Sequence, residues 1–301
     1  MTVDYIPAKH IVTNTKAPSS WFGTEYNMNI YKGCCHGCIY CDSRSECYRI
    51  DDFDRVRVKE NALQIIRDDL RRKTRTGVVG TGAMSDPYNP LEQKLELTRH
   101  ALELCDAFGF GIGIATKSPL IERDIDILQS IKEHSPVLCK VTITTADDDL
   151  AKKVEPNAAN SSRRFEAVRQ LSEQGIFTGL LLMPVLPFLE DNPENIMAII
   201  EKADESGARF IYPAFGMTLR SGQREWYLNS LDRLFPEQGL SEKYTRRFGS
   251  NYRCTSPYAR KLWNLFTAEC ESRKILYKMD DIIHCYKHPY RNEQLNLFDY
   301  I

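Results

Sequence analysis

The sequence predicts an α/β fold, a partial (β/α)6 TIM-like barrel followed by a helical C-terminal extension. Two observations predict it. Six short runs rich in Val, Ile, Leu and Thr (28–33, 77–82, 111–116, 137–145, 176–183 and 209–215) show little polar alternation, as strands covered on both faces do. Segments with helical apolar spacing separate them, and strand–helix alternation of this kind demands parallel pairing with right-handed crossovers.

The elements follow in order. Residues 1–24 read as a loop-like N-terminal segment, and "MNIYKG" (28–33) is a strand running into a cysteine-rich loop. "KENALQIIRDDLRRK" (59–73) puts Ala62, Leu63, Ile65, Ile66 and Leu70 at helical spacing, and "GVVGTG" (77–82) is a strand ended by glycine. Helix 92–107 precedes strand 111–116, helix 121–133 precedes strand 137–145, helix 161–174 precedes strand 176–183, and helix 193–206 precedes strand 209–215. The barrel is expected over 25–216, a helical extension over 217–290 and a tail over 291–301. In such sheets chemistry sits at the carboxyl ends of the strands, and the cysteine loop follows the first of them.

Composition narrows the class. Lys plus Arg number 40 and Asp plus Glu 41, a formal net charge of −1, so any nucleic-acid surface must be a local patch. The N-terminus lacks a signal-peptide pattern and no stretch reaches about 18 apolar residues, from which a soluble, cytoplasmic protein with no membrane partner is expected. Ten cysteines in a reducing compartment point to metal ligation or catalysis rather than disulfides.

Four of them lie together in "NIYKGCCHGCIYCDSR" (29–44). Cys34, Cys38 and Cys41 give C-x3-C-x2-C; Cys35, Cys38 and Cys41 give C-x2-C-x2-C. A bacterial ferredoxin run in the second register needs a further cysteine at position 45, which is serine. A zinc site could recruit His36 or Cys47, although structural zinc usually draws on two separated ligand pairs.

The first register, with Tyr40 before its last cysteine, resembles the radical S-adenosylmethionine (radical SAM) superfamily. The resemblance implies that Cys34, Cys38 and Cys41 hold three irons of a [4Fe-4S] cluster, leaving the fourth open to chelate S-adenosylmethionine (SAM). It also implies reductive cleavage to a 5′-deoxyadenosyl radical, an electron donor such as flavodoxin or ferredoxin, and a place for Tyr40 near the adenine. Cys35 is then a bystander.

The words "GTGAMSDPYNPLE", "IATKSPLIERD", "VTITTADDDLAKKVEPNAANSSRRFEAVRQLSEQGI" and "LLLMPVLPFLEDN" look like the spore photoproduct lyase-like (DNA repair photolyase-like) branch over about residues 25–215. That resemblance maps SAM binding onto Ser85, Lys117 and a strand-four hydroxyl, Thr142 or Thr144. Lys117 suits the SAM carboxylate, and Asp86 with the hydroxyls suits its amino group and ribose. Two departures bear on the substrate. Spore photoproduct lyases carry a hydrogen-donating cysteine where this chain has Met84, and a tyrosine after the last cluster cysteine where it has Asp42. Cys139 is a candidate replacement donor, or else a small core residue.

The last third adds three readings. Between Glu242 and Glu269 no acidic residue occurs, while Lys243, Arg246, Arg247, Arg253, Arg260 and Lys261 interleave with Tyr244, Phe248, Tyr252, Tyr258 and Trp263. Basic groups with aromatic stacking platforms are the ingredients of a DNA or other nucleic-acid groove over 243–263. Cys254, Cys270, Cys285, His284 and His288 are a candidate second metal set. Gln294, Leu295, Asn296, Leu297 and Phe298 look like the bacterial sliding-clamp-binding motif. Together the expectation is hydrogen abstraction from a nucleic acid, with damaged DNA in view. The alternatives are radical SAM chemistry on a protein, peptide or small molecule, and a non-enzymatic metal-binding interaction protein.

Overall fold

The computed structural model describes residues 3–17 and 20–290. Strands β1 (Asp4–Ile6), β2 (Val12–Asn14), β3 (Tyr26–Met28), β4 (Tyr31–Lys32) and β5 (Arg57–Lys59) lead into α1 (Ala62–Arg71) and β6 (Val78–Thr81). Then come α2 (Glu92–Leu95), α3 (Leu97–Ala107), β7 (Gly111–Thr116), α4 (Ile125–Lys132), β8 (Val137–Thr142), α5 (Asp148–Val154), α6 (Ser161–Glu173), β9 (Thr178–Leu182), α7 (Pro193–Glu205) and β10 (Phe210–Pro213). The main sheet has the order β10-β9-β8-β7-β6-β3-β2, six parallel strands with β2 antiparallel at one edge. This is the expected open (β/α)6 barrel.

Periodicity builds it. In α1, Ala62, Ile66 and Leu70 recur every fourth residue, are buried, and cover the sheet together with Ala101, Leu102 and Cys105 of α3. Every residue of β8 and β9 is buried. Each fully buried Ile or Leu contributes roughly 1.5–3 kcal/mol of transfer free energy.

Two expected elements differ, and one helix was not foreseen. Strand 28–33 divides: Tyr26–Met28 joins the main sheet, while Tyr31–Lys32 turns away to pair with β5 in a small sheet of order β1-β5-β4. Helix 92–107 breaks at Glu96, which is left-handed at φ 50°. The buried Glu92 carboxylate causes the break, accepting the Thr98 N–H at 2.8 Å and so capping α3. Helix α5 lies in a polar run too short for periodicity, held by the Asp147 cap on the N–H of Asp149 at 2.8 Å.

Beyond the barrel, β11 (Gly216–Thr218), α8 (Gln223–Leu234), α9 (Leu240–Phe248), β12 (Arg253–Thr255), α10 (Ala259–Ser272) and α11 (Met279–Lys287) pack onto it. Strands β11 and β12 form an antiparallel pair. Ile282 and Tyr286 of α11 close the amino-terminal end of the barrel against Phe22 and Phe210. Tyr227, Tyr244 and Phe248 join Cys38, Ile39 and Tyr40 in one core, so the extension supports the cysteine loop directly. The second metal set does not form: Cys254 and Cys270 are buried in separate cores, and no three His, Cys, Asp or Glu among the described residues could hold a metal ion. No helix among the described residues is long and apolar enough to cross a membrane. The clamp-motif residues Gln294, Leu295, Leu297 and Phe298 lie outside the described residues.

Candidate active site

The cysteine loop is fastened on both sides. Gly33 has φ +85°, and a side chain there would collide with the carbonyl oxygens of Phe53 and Arg55. The Cys34 N–H donates to Phe53 at 2.8 Å, and the Ile39 N–H to Val154 at 3.0 Å. Gln223 of α8 donates to the Tyr40 carbonyl at 2.9 Å.

So held, Cys34, Cys38 and Cys41 line one cavity of about 300 Å³ at the carboxyl ends of the strands, together with Tyr40, Met84, Ser85, Asp86, Lys117 and Thr142. Cys35 is not among the lining residues. None of the three lining thiols is in a disulfide. Burial pushes the Cys34 thiol up to about 11 and Cys38 and Cys41 up as well, while the Lys117 ammonium draws the latter two back toward thiolate. Three thiols lining one space are the donor set for a cluster that takes one thiolate per iron. They do not fit a single zinc ion. His36 Nδ1 lies 3.5 Å from Asp86, and Cys47 is exposed beside Arg220 at 3.5 Å, so neither completes a zinc set.

Behind Tyr40 lies a buried charge network. The Tyr40 hydroxyl donates to Glu155, Arg164 pairs with the other carboxylate oxygen, and Lys117 Nζ stands 3.9 Å from Glu155 and 5.6 Å from the Tyr40 ring centroid. Burial alone would raise the Glu155 carboxyl, but Arg164 and Lys117 hold it below its usual range. Arg164 also donates to the Thr142 carbonyl at 2.9 Å, joining the network to the end of β8.

Asp86 is a latch between strands. Its carboxylate accepts from the Thr116 hydroxyl at 2.7 Å, the Lys117 N–H at 2.7 Å and the Tyr88 N–H at 2.9 Å. Its first structural task is therefore to hold Lys117. Ser85 lines the cavity and donates to the Tyr31 carbonyl at 3.0 Å.

Of the strand-four hydroxyls, Thr142 lines the cavity. Thr144 does not; it is buried and donates to Glu190 at 2.8 Å. Cys139 is corrected as a hydrogen donor, because side chains alternate along β8 and Cys139 packs among Ile112, Ile114 and Ile131 on the helix side. Asp42 accepts from Tyr48 at 2.9 Å and from Arg220 at 3.2 Å.

A second cavity of about 470 Å³ shares Tyr40, Cys41, Ser43 and Ala83 with the first and adds Asp42, Met217, Thr218, Arg253 and Thr255. It is where the basic segment meets the site. All six basic residues between 243 and 261 are exposed, as are Tyr252, Tyr258 and Trp263, whereas Tyr244 and Phe248 are core residues rather than stacking platforms. The residues missed from sequence are Lys140, Glu155 and Arg164; His36, weighed there only as a zinc ligand, also lines the cavity. Arg164 was findable, since it lies on the face of α6 that also carries Val168 and Leu171.

An open parallel barrel with a three-thiol loop at its carboxyl end defines a cluster-carrying enzyme class. The "Radical SAM superfamily" model matches residues 28–211, and the chain belongs to that superfamily. Its members are enzymes whose cofactors are a [4Fe-4S] cluster and SAM. An uncharacterized protein of Mycobacterium tuberculosis is 30% identical over 220 residues, 71% of this chain and 64% of that protein, so the match spans less than two thirds of that relative. A "Radical SAM Nalpha-GlyT isomerase" of Pseudomonas phage M6 is 24% identical over 71% of this chain and 47% of its own. Spore photoproduct lyase complexed with dinucleoside spore photoproduct superposes with a TM-score of 0.64 at 14% identity, covering 89% of this chain and 79% of its own. A variant of the same lyase reaches 0.68 at 14% identity, over 92% and 81%.

Proposed function

We propose that this chain is a radical SAM enzyme that abstracts hydrogen from a nucleic-acid substrate, with an altered base in DNA as the target. The observation that carries the reading is that Cys34, Cys38, Cys41, Ser85, Lys117 and Thr142 line one cavity, which adjoins a second reached by Arg253.

Cys34, Cys38 and Cys41 would hold the cluster. When bound and reduced by a donor such as flavodoxin or ferredoxin, it and SAM supply a 5′-deoxyadenosyl radical. Lys117 offers its ammonium to the SAM carboxylate, Ser85 and Thr142 offer hydroxyls, and the Tyr40 ring flanks the adenine. Asp86 and Glu155 position Lys117 and Tyr40. The Met84 thioether lines the cavity but has no S–H to return, so the outcome is set by another donor or by rearrangement within the substrate. The dinucleoside ligand of the lyase and the phage relative's naming as an isomerase support a nucleoside substrate and a rearranging outcome. A cytoplasmic setting and recruitment to a sliding clamp through Gln294, Leu295, Leu297 and Phe298 belong to this reading.

A second reading keeps the radical chemistry but takes a protein, peptide or small molecule. Burial of Tyr244 and Phe248, which removes two of five stacking platforms, favours it.

Anaerobic reconstitution with iron and sulfide, followed by dithionite and SAM, is expected to yield 5′-deoxyadenosine, and Cys38→Ala to yield none. A protein that takes up zinc alone and forms no product overturns the radical reading. DNA affinity that falls steeply with salt, and weakens in Arg246→Ala/Arg247→Ala and in Arg253→Ala, supports the nucleic-acid substrate. Salt-independent or absent binding moves the assignment to the second reading.

A further inference from the structure

Lys140 interrupts the apolar strand β8, "VLCKVT", and its side chain lies on the same face as Thr142, two residues on, inside the barrel. It lines the cavity and is only 3% exposed. Among the described residues its ammonium has no hydrogen-bond or ion-pair partner. The nearest polarisable group is the Phe22 ring, with Nζ 4.9 Å from the centroid. Burial pulls its pKa down to about 8.

The strands around it carry small residues at the neighbouring positions. In register, Lys140 stands between Ala115 of β7 and Gly179 of β9, and Gly113 of β7 is paired with Gly80 of β6. A Cβ at Gly113 would approach Nζ to 3.4 Å and Thr24 Cγ2 to 3.3 Å, and one at Gly179 would strike Phe210, so the glycines let Lys140, Thr24 and Phe210 pack closely against the strands while Lys140 still lines the cavity. The layer toward the closed end, formed by Phe22, Val78, Leu138 and Phe210, is apolar and offers no counter-charge.

The acidic groups near the cavity are already used. Asp86 holds Thr116, Tyr88 and Lys117, and Glu155 is shared by Arg164, Tyr40 and Lys117. A buried lysine without a partner costs stability, whereas an apolar chain of similar length would add to it. Packing therefore does not account for Lys140. A ligand that carries its own negative charge into the cavity does.

We propose that Lys140 is a specificity-determining residue that receives an oxyanion of the substrate, phosphate or carboxylate, in the glycine-lined interior of the barrel. The inference rests on the radical SAM reading of the same cavity. By fixing the anion there, Lys140 sets which carbon of the substrate faces the cysteine loop.

The test uses reconstituted wild-type protein, Lys140→Met and Lys140→Arg, with calorimetric titration of inorganic phosphate, acetate, thymidylyl-thymidine and its neutral methylphosphonate analogue. At least one anionic probe is expected to bind wild type, to lose tenfold or more in affinity to Lys140→Met, and to be partly rescued by Lys140→Arg. Phosphate and thymidylyl-thymidine without the methylphosphonate assign a phosphodiester; acetate assigns a carboxylate. Failure of wild type to bind any of the anions, or equal affinity in Lys140→Met, overturns the proposal. So does a tenfold rise in the KM for SAM in Lys140→Met, which would give the ammonium to the cofactor. Iron content and substrate-free 5′-deoxyadenosine formation are read on the same samples. Their loss in wild type sinks the radical reading, while their retention beside absent anion binding sinks only the role of Lys140.

Discussion

Glu155 and Arg164 form an ion pair in which both side chains are 1% exposed, and the second oxygen of that carboxylate accepts from Tyr40. The pair joins the end of α5 to α6 directly behind the aromatic of the cysteine loop. Its position argues that the loop is held by buried electrostatics as well as by packing.

Glu155→Gln is expected to cost about 3–5 kcal/mol because it leaves Arg164 without its carboxylate, and Arg164→Met less, because Lys117 still faces Glu155. Urea denaturation of wild type and both variants reads this. Acid acts on the same pair. With the Glu155 carboxyl held below its ordinary range, its stabilisation is complete above the unfolded value and is lost as pH falls through the lower folded one. Urea midpoints for Glu155→Gln and wild type should therefore converge at acid pH; a difference that is constant with pH would refute the assignment.

Thr142→Val and Thr144→Val separate two hydroxyls that the sequence left equivalent. Loss of Thr142, which faces the cavity, is expected to raise the KM for SAM several-fold with little change in Tm. Loss of Thr144 takes a donor from the buried Glu190 carboxylate and is expected to lower stability by about 1–3 kcal/mol, with the KM unchanged. The opposite pattern would place the SAM hydroxyl at Thr144.

Asp86→Ala removes three hydrogen bonds at once, including the one from the Lys117 N–H. Lower affinity for SAM is expected together with a lower Tm, whereas Lys117→Met should lower SAM affinity with a smaller change in Tm. Unchanged SAM affinity in Asp86→Ala would show that the latch is not needed to present the lysine.

These contrasts follow the line between what the sequence made legible and what it did not. The six parallel strands were readable because strands with both faces covered are apolar throughout, and three cavity cysteines followed from spacing on one loop. Cys139 and Thr144 stayed open as candidates for lack of register. Two-residue alternation from Thr142 already assigns Cys139 to the opposite face. Glu155 follows the end of α5 while Arg164 lies in α6, and the two meet only in three dimensions, so no spacing encodes their contact. The break at Glu96 was hidden because a buried glutamate that caps the next helix has the same local pattern as a helical surface residue.

Lys140 also makes stability depend on pH. A lysine whose folded pKa falls from 10.5 to about 8 through burial binds fewer protons folded than unfolded between those values. Stability therefore rises with pH across that window, and the burial penalty, on the order of 3 kcal/mol, is fully present below pH 8. Lys140→Met removes it. The variant is expected to be more stable than wild type at pH 7, with the advantage shrinking as pH rises from 8 through 10.5. Urea unfolding at pH 7, 8.5 and 10 measures the difference. A destabilised variant at pH 7 would mean that Nζ has a counter-charge within the folded chain, and the case for an external anion would lose its premise. A stabilised variant would mean that the protein keeps a costly charge at the heart of its cavity, which selection for the fold alone does not maintain.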